Sequence, residues 1–282
     1  MAILSIQSHV CFGHAGNSSA LLPMQLQGHE VWPVHTVQFS NHTGYGKWTG
    51  DVFSSEHIKD LLNGISQNAD LKNCDALVTG YQGSKETIDS TLYALKLIKL
   101  KNPDVLYFCD PVMGDVGRGF FVQPGIPEEI KEKLLKAAHH LSPNHFEFNF
   151  LSNSKTQSIK DVQKVAASLF KKYDQLQSIL LTSFQGEETR ENELDILLIT
   201  PNEFHKKSTP FLKNQGKALV GTGDLIHALF SSIYLNSKNY KTALNQSVNI
   251  TYKVIKNTLE KNRWELDLVG SIPIILNKEL NK

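Results

Sequence analysis

The four residues Gly221-Thr222-Gly223-Asp224 place a carboxylate directly beside a glycine-flanked turn. Residues 225–230 are mostly apolar, so we expect the tetrad to be a tight loop that opens into a helix. The backbone N–H groups and the dipole at a helix N-terminus attract anions. Phosphoryl transfer needs donors for the moving phosphate and an acceptor for the proton of the attacking group. The tetrad offers both, although an Asp that merely caps a helix is a commoner reason for such a motif.

The whole chain has the composition of an ordinary globular protein. Of its 282 residues, 40% are hydrophobic and 20% are charged, and 29 basic residues balance 28 acidic ones. The resulting net charge of +1 argues against a nucleic-acid-binding surface and against a polybasic membrane surface. No linker rich in Pro, Ser or Gly divides the sequence, so we interpret residues 1–282 as a single domain.

The cysteines and the N-terminal residues indicate a cytoplasmic protein. Cys11, Cys74 and Cys109 are an odd number without CxxC spacing, so we expect neither disulfides nor a structural zinc site. Residues 1–6 lack the basic and long apolar segments of a signal peptide, and no run has the apolar length of a transmembrane helix. We therefore expect a reducing, cytoplasmic environment.

Short apolar runs alternate with helical patterns along the chain. Runs typical of buried strands occupy residues 3–6, 31–37, 76–78, 105–109 and 179–181. Apolar positions repeat with helical spacing in residues 54–65, 88–100 and 159–173. This alternation predicts parallel βαβ units and a sheet covered by helices on both faces. Residues 194–200 and 204–208, joined by Pro201-Asn202, predict a local antiparallel hairpin.

Polar segments follow several of these strands, at the sheet edge where open α/β proteins bind ligands. Ser8, Gly13 and Gly16 follow the first strand, although this segment also fits a plain turn with a helix cap at Asn17. Residues 38–46 follow the second strand and are typical of a loop that covers a planar ligand, or of an ordinary surface loop. Asp110 begins the segment 110–115, where its carboxylate suits a Mg²⁺ site reached through water or a simple Asp-Pro loop start.

Asn144 and Glu147 form another candidate pair. Their spacing of three residues places both side chains on one face of a helix, where they would hold metal-bound waters near phosphates. The same spacing fits a capping box, with Asn144 at the N-cap and Glu147 at the third helical position. The local sequence does not distinguish the two.

Taken together, these segments resemble the pyridoxal kinase family of the ribokinase superfamily. The matching segments have the family's order and spacing: Ser8-His9-Val10, Phe39-Ser40-Asn41-His42-Thr43, Asp110-Pro111-Val112-Met113-Gly114, Pro143-Asn144 with Glu147, and Gly221-Thr222-Gly223-Asp224. The resemblance covers most of the chain and is greatest to the bacterial Y-type branch. It implies a ribokinase-like three-layer α/β fold, with a central, mostly parallel sheet flanked by helices. It also implies ATP-dependent phosphorylation of the 5′-hydroxymethyl group of pyridoxal.

The resemblance further implies a role for particular residues. Asp224 would be the base, and Gly221, Thr222 and Gly223 would form an anion hole. The pyridoxal pocket would include Ser8, Thr43, Gly44 and Tyr81. The ATP side would include Asp110, Ser142, Glu147, Thr182, Ser183, Thr209, Pro210, Phe211 and Leu212, with Asp110 and Glu147 holding the metal. The implied cofactors are ATP and Mg²⁺, with a monovalent cation such as K⁺ as a further candidate. The expected assembly is a homodimer without nucleic-acid or membrane partners.

Two other activities remain open at this point. A hydroxymethylpyrimidine kinase would have a similar centre, although the aromatic and polar residues 39–45 favour pyridoxal. A vitamin B6-binding protein with weak turnover is the other alternative, against which the intact Asp224 argues. Gly44 stands where several Y-type relatives carry Gln, and Thr182 lies near a position where they carry Lys. These departures leave the vitamer preference and the nucleotide affinity open.

Overall fold

The computed structural model describes residues 1–212 and 219–276. Its strands are β1 (Ala2–Phe12), β2 (Glu30–Asn41), β3 (Gly50–Val52), β4 (Cys74–Thr79), β5 (Leu106–Cys109), β6 (Gly114–Asp115), β7 (Gly119–Phe120), β8 (His140–Leu141), β9 (Ser178–Phe184), β10 (Glu193–Ile199) and β11 (Phe204–Pro210). Nine of them form one sheet in the order β11-β10-β9-β8-β5-β4-β1-β2-β3. Strands β6 and β7 pair separately as a small antiparallel hairpin.

The helices lie between and after these strands. They are α1 (Asn17–Leu26), α2 (Ser55–Asn68), α3 (Lys85–Lys99), α4 (Ile126–Glu129), α5 (Leu135–Ala137), α6 (His145–Ser152), α7 (Ile159–Lys172), α8 (Thr222–Ser237), α9 (Tyr240–Glu260) and α10 (Ile272–Ile275). A π-helical segment, Ile130–Leu134, joins α4 to α5, and short 3-10 turns cover Thr43–Tyr45, Leu71–Asn73 and Val269–Ser271. None of the described helices is long and apolar enough to cross a membrane.

The sheet is parallel through its centre. Strands β2, β1, β4, β5, β8 and β9 pair in parallel, whereas β3 at one edge and β10 and β11 at the other are antiparallel. The predicted strands are confirmed, although β1 and β2 are several residues longer than their apolar runs. The hairpin expected at Pro201-Asn202 is also confirmed, as the antiparallel pair β10 and β11.

Alternate residues of the central strands pack into two separate cores. Ile3 and Phe108 face one core, which they share with Met24 of α1 and with α8 and α9. Leu4 and Tyr107 face the other, which includes buried residues of α2, α3 and α7. The two-residue period of a strand directs neighbouring side chains to opposite faces, so each face of the sheet packs against its own layer of helices. The predicted three-layer α/β architecture is thus confirmed.

Two helix boundaries differ from the prediction. Helix α8 begins at Thr222, with Gly221 as its N-cap, so the last three residues of the tetrad belong to the first helical turn rather than to a loop. Helix α1 begins at Asn17 itself, and Gly16 occupies the cap position. Asn17 is instead buried, where its side chain accepts a hydrogen bond from Ser5 Oγ (2.7 Å). In both cases the N-cap residue is a glycine at positive φ, so the N-cap has no side chain that could accept from the first helical N–H groups.

Candidate active site

Two adjoining cavities open at the carboxyl ends of the parallel strands. The first has a volume of about 310 Å³ and the second about 620 Å³. Residues Thr182, Leu219 and Gly223 border both cavities. A ligand in one cavity would therefore lie against a ligand in the other, with the N-terminus of α8 between them.

The N-terminus of α8 is shaped by close backbone contacts. Gly221 has φ +82°, and a Cβ atom at this position would lie 2.0 Å from the carbonyl oxygen of His14. Ser19 Oγ donates to the carbonyl oxygen of Gly221 (2.9 Å), which fixes the turn from the other side. Since no described side chain caps the helix, the backbone N–H groups of its first turn are available to an anion.

Asp224 lies in this first turn and lines the first cavity. The backbone N–H of Gly16 donates to Asp224 Oδ2 (2.9 Å), so the loop after β1 orients the carboxylate. Burial raises the pKa of Asp224, and the hydrogen bond from Gly16 opposes this by favouring the ionised form. One carboxylate oxygen is held in place while the side chain faces the cavity, as a proton acceptor requires.

Asp110 and Glu147 add two more buried carboxylates to the same cavity. Burial, followed by the negative charges of Glu147 and Asp224, raises the pKa of Asp110 well above its usual range. Burial also raises the pKa of Glu147 to about 8, against three backbone N–H donors that lower it. None of these three carboxylates forms an ion pair within the described part of the chain. A cation placed in this cavity would therefore stabilise the ionised forms of these carboxyl groups and lower their pKa values.

The pair Asn144 and Glu147 forms the capping box that the sequence left open. Asn144 Oδ1 accepts from the backbone N–H of Glu147 (3.0 Å), and Glu147 Oε2 accepts from the backbone N–H of Asn144 (2.9 Å). Glu147 Oε1 also accepts from the backbone N–H of Met113 (2.9 Å). The carboxylate thus connects the start of α6 to the segment after β5.

Two further polar side chains are fixed by their surroundings. The pairing of β1 with β2 shifts register between Gln7 and His9, and such an irregularity re-aims the intervening side chain, Ser8, which lines the first cavity. Ser142 Oγ lies 2.9 Å from Nδ1 of His227, a buried residue of α8. Burial lowers the pKa of His227 to about 4, so its imidazole is neutral near pH 7 and orients the serine without adding charge.

Known proteins share this sequence and this architecture. A family model described as phosphomethylpyrimidine kinase matches residues 35–268. The pyridoxal kinase PdxY of Granulibacter bethesdensis is 41% identical over 275 residues, which are 96% of this chain and 94% of the relative. The chain belongs to the pyridoxal kinase family.

Solved structures agree with this membership. Pyridoxal kinase from Entamoeba histolytica superposes with a TM-score of 0.87 at 24% identity, covering 99% of this chain and 97% of the other, which supports the shared fold. Pyridoxal kinase from Leishmania donovani in complex with ADP and pyridoxine superposes with a TM-score of 0.84 at 26% identity, covering 99% and 96%. The resemblance to pyridoxal kinases and the expected ribokinase-like fold are thereby confirmed.

The structure distributes the predicted site residues of this family member between the two cavities. The first cavity is lined by Ser8, Thr43, Tyr81, Asp110, Ser142, Glu147, Gly221, Gly223 and Asp224. The second is lined by Ser183, Thr209, Pro210, Phe211, Leu212 and Thr222. Of these predicted residues, Thr182 and Gly223 border both cavities. Gly44 differs from the rest, since it is exposed in the 3-10 turn beside Thr43 and lines neither cavity.

Several lining residues escaped the sequence reasoning. Val10, Ala15 and Val37 supply apolar walls of the first cavity. One face of α9 borders the second cavity through Val248, Thr251, Tyr252 and Ile255. The spacing of these four residues is helical, so a periodicity search over residues 240–260 would have found the helix although not its ligand-facing side. Arg118, in the turn between β6 and β7, also lines the first cavity.

Proposed function

We propose that this protein transfers the γ-phosphoryl group of ATP to the 5′-hydroxymethyl group of pyridoxal, forming pyridoxal 5′-phosphate and ADP. The observation that carries the proposal is the position of Asp224 and the first turn of α8 at the junction of two adjoining cavities. A related kinase from Leishmania donovani binds ADP and pyridoxine in a structure that superposes on this chain. The acceptor alcohol would occupy the first cavity and the nucleotide the second.

The first cavity suits a small aromatic ring with polar substituents. Phe39, Tyr81 and Val37 supply apolar contact area, while Ser8 and Thr43 supply hydrogen-bonding groups. Thr43 belongs to the 3-10 turn Thr43–Tyr45. The side chain of His42 caps this turn by accepting a hydrogen bond from the backbone N–H of Gly44 (3.1 Å). This arrangement supports our assignment of the first cavity to the vitamer.

The second cavity suits a nucleoside. Its walls are largely apolar and include Leu194, Ile196, Phe211 and Tyr252, and no charged residue lines it in the part of the chain that is described. Adenine and ribose are uncharged and match such walls, whereas the phosphates would extend towards Gly223 and the α8 N-terminus. The boundary residues Thr182 and Gly223 would then lie near the phosphoryl group that moves.

The reaction follows from these positions. The 5′-oxygen of pyridoxal attacks the γ-phosphorus, the bond from that phosphorus to the β–γ bridging oxygen breaks, and its electron pair leaves with ADP. Asp224 orients the hydroxyl group and accepts its proton as the new P–O bond forms. The first-turn N–H groups of α8 stabilise the charge on the phosphoryl oxygens.

Mg²⁺ fits the donor set of this site. Asp110 and Glu147 offer oxygen ligands and form no ion pair with any described residue, and hard cations prefer oxygen. The residues described contain no group of three or more His, Cys, Asp or Glu side chains that could hold a metal ion directly. We therefore propose that Asp110 and Glu147 hold Mg²⁺ mainly through water, where the ion would neutralise charge on the nucleotide phosphates.

Steady-state kinetics tests the proposal. Pyridoxal, pyridoxine, pyridoxamine and hydroxymethylpyrimidine are compared as acceptors with ATP, by following ADP release. We expect kcat/KM for a B6 vitamer to exceed that for hydroxymethylpyrimidine. The reverse order would identify a pyrimidine kinase, an outcome to which the matching family model gives weight. A single-turnover experiment with labelled ATP would identify a binding protein if vitamer binds tightly without forming labelled ester.

The assembly and the location of the protein stay predictions. All nine strands of the large sheet are hydrogen-bonded in one order, which supports our interpretation of residues 1–282 as a single catalytic domain. We also propose a cytoplasmic homodimer, which light scattering of the purified protein would check. A requirement for K⁺ would appear as a difference in turnover between potassium and sodium buffers of equal ionic strength.

A further inference from the structure

The hairpin formed by β6 and β7 carries Arg118 to the rim of the first cavity. The base of the hairpin is fixed, because Asn144 Nδ2 donates to the carbonyl oxygen of Gly114 (2.7 Å). Its turn is closed by the backbone N–H of Arg118, which donates to the carbonyl oxygen of Asp115 (3.2 Å). The guanidinium group extends across the cavity rim, and its Nη2 lies 3.7 Å from where a Cβ of Gly44 would be.

Arg118 supplies a positive charge to a cavity whose other described lining residues include no Lys or Arg. The first cavity is lined by four carboxylates, those of Asp110, Asp115, Glu147 and Asp224. Among the residues described, Arg118 is the only Lys or Arg that lines either cavity. Two lysines of the neighbouring segment 213–218 lie outside the described residues. Transfer of a phosphoryl group into this cavity would add further negative charge to it.

The guanidinium group is not committed elsewhere. It forms no hydrogen bond or ion pair with any other described residue, and its one defined contact is with the ring of Phe121, 5.2 Å from the guanidinium carbon. Its positive charge reaches the opposite loop, where it lowers the pKa of His42 after the larger effect of burial. The planar N–H donors of an arginine therefore remain available to a ligand in the cavity.

We propose that Arg118 is a catalytic residue that binds the phosphoryl group as it reaches the 5′-oxygen and then binds the 5′-phosphate of the product. This inference rests on the proposed kinase function. The new bond joins the 5′-oxygen to phosphorus, the bond to the β–γ bridging oxygen breaks, the electron pair leaves with ADP, and the hydroxyl proton passes to Asp224. The monoester formed is largely dianionic near pH 7 and would face the carboxyl groups of Asp110, Asp115 and Glu147 beside the newly protonated Asp224. The arginine fork matches phosphate oxygens in a bidentate manner and offsets this repulsion.

A purely structural role is the competing explanation. Arg118 stacks on Phe121, and the contact alone would hold the hairpin over the cavity. The two roles differ in what they recognise. An arginine that binds phosphate changes the affinity for the phosphorylated vitamer more than that for the unphosphorylated one. An arginine that only supports the hairpin changes both affinities equally.

The experiment compares wild type, Arg118→Gln, Arg118→Lys and Arg190→Gln. Arg190 is a matched control, since it is an exposed arginine that lines neither cavity and has only a 3.9 Å ion pair with Glu193. Turnover with ATP and pyridoxal is measured for each protein. Binding of pyridoxine and of pyridoxine 5′-phosphate is measured by titration without nucleotide. These two ligands are chosen because neither has an aldehyde that would form an imine with lysines.

We expect Arg118→Gln to lower kcat about 100-fold, at the lower end of what loss of a transition-state donor causes, since the side chain is exposed. The KM for pyridoxal should stay within about threefold, and the affinity for pyridoxine 5′-phosphate should fall about tenfold more than that for pyridoxine. Arg118→Lys should recover part of both effects, and Arg190→Gln should match wild type.

Two results would overturn the inference. One is an unchanged ratio of phosphate-ester to alcohol affinity in Arg118→Gln with kcat near wild type. The other is an equal loss of both affinities, which would assign Arg118 to supporting the hairpin through Phe121. Failure of the kinase function itself would appear differently, as a wild-type protein without turnover on any vitamer. The binding titrations would still report on Arg118 in that case.

Discussion

Replacement of Asp224 by Asn separates proton acceptance from binding at this site. The two side chains have nearly the same shape, and an Asn oxygen can still accept from the backbone N–H of Gly16, which lies 2.9 Å from Asp224 Oδ2. The loop after β1 should therefore keep its position. The amide, however, cannot take a proton from the substrate alcohol, so the change removes one chemical function from an otherwise preserved site.

The free energies show how Asp224 must act. A reference Asp has a pKa of about 3.9, and with water at ~15.7 as a stand-in for the alcohol the gap is roughly 12 units. At ~1.36 kcal/mol per unit, complete deprotonation before attack would cost about 16 kcal/mol. A kinase that turns over at ~10 s⁻¹ has a total barrier of about 16 kcal/mol, so prior deprotonation would use all of it. Asp224 must therefore accept the proton late in the reaction. Burial raises the pKa of Asp224, which narrows the pKa difference between Asp224 and the alcohol.

Loss of such a late acceptor should lower kcat by about 10²–10⁴-fold, or about 3–5 kcal/mol. The KM values for pyridoxal and ATP should change by no more than a few-fold, because Asn keeps the shape of the site. Asp174→Asn, at an exposed position outside both cavities, is the matched control. The assay is ADP release under steady-state conditions, with thermal unfolding to verify that the variants are folded.

The pH profile gives an independent check. Only the ionised carboxylate accepts a proton, so kcat/KM of the wild type should rise with pH through the pKa of Asp224 and then level off. Because burial raises this pKa, the rise should occur at higher pH than for an exposed Asp. The residual activity of Asp224→Asn should lack this rise. A variant with near wild-type kcat, or with the same acidic limb, would show that Asp224 is not the base.

Three other predictions concern the neighbouring residues. Gly221→Ala should unfold at lower temperature, because its Cβ would overlap the His14 carbonyl. Gly223→Ala should melt like wild type, since its Cβ would have no described atom within 4 Å outside its own helix backbone, and yet lose kcat because Gly223 borders both cavities. Equal melting temperatures and equal activities of the two variants would contradict this. Asp110→Asn should raise the Mg²⁺ concentration for half-maximal rate several-fold, and an unchanged Mg²⁺ titration would leave Asp110 as a loop anchor. Tyr45→Phe removes the hydrogen bond between Tyr45 and Glu265, so it should raise the pyridoxal KM about threefold while leaving the ATP KM unchanged. A larger effect on the ATP KM would refute this coupling.

Local periodicity predicted the parts of the fold that have a strong apolar pattern. The amphipathic repeat in residues 159–173 became α7, and the apolar run 179–181 became the middle of β9. Strand β8 has only two residues, His140 and Leu141, which is too short for any alternation to appear. The edge strand β3 is exposed on all its residues and has no buried face to reveal it. These elements are determined by their neighbours in the sheet rather than by their own sequence.

The candidate site was predictable where strand ends supply its side chains. Asp110 directly follows β5 and Ser142 directly follows β8, so the parallel sheet brings them to the same edge. Contacts between distant segments could not be read in this way. Glu265 accepts from the backbone N–H of His14 (3.1 Å) across 251 positions, and no local pattern marks that pair. Arg118 was likewise hidden, because a single arginine in a glycine-rich turn reads as an ordinary surface residue.

Gly16, in the loop after β1, and Gly221, at the N-cap of α8, are best understood as one unit. A Cβ at Gly221 would lie 2.0 Å from the carbonyl oxygen of His14, and a Cβ at Gly16 would lie 2.3 Å from that of Ser8. The same Gly16 donates its N–H to Asp224, so the loop after β1 and the start of α8 lie close together. A side chain at Gly221 would meet the opposite segment, whereas a side chain at Gly16 would meet Ser8 of its own segment. Each glycine motif is a weak signal when it is considered alone. Two contacts join the motifs, since Gly221 lets the start of α8 approach the His14 carbonyl and Gly16 then donates to the Asp224 carboxylate.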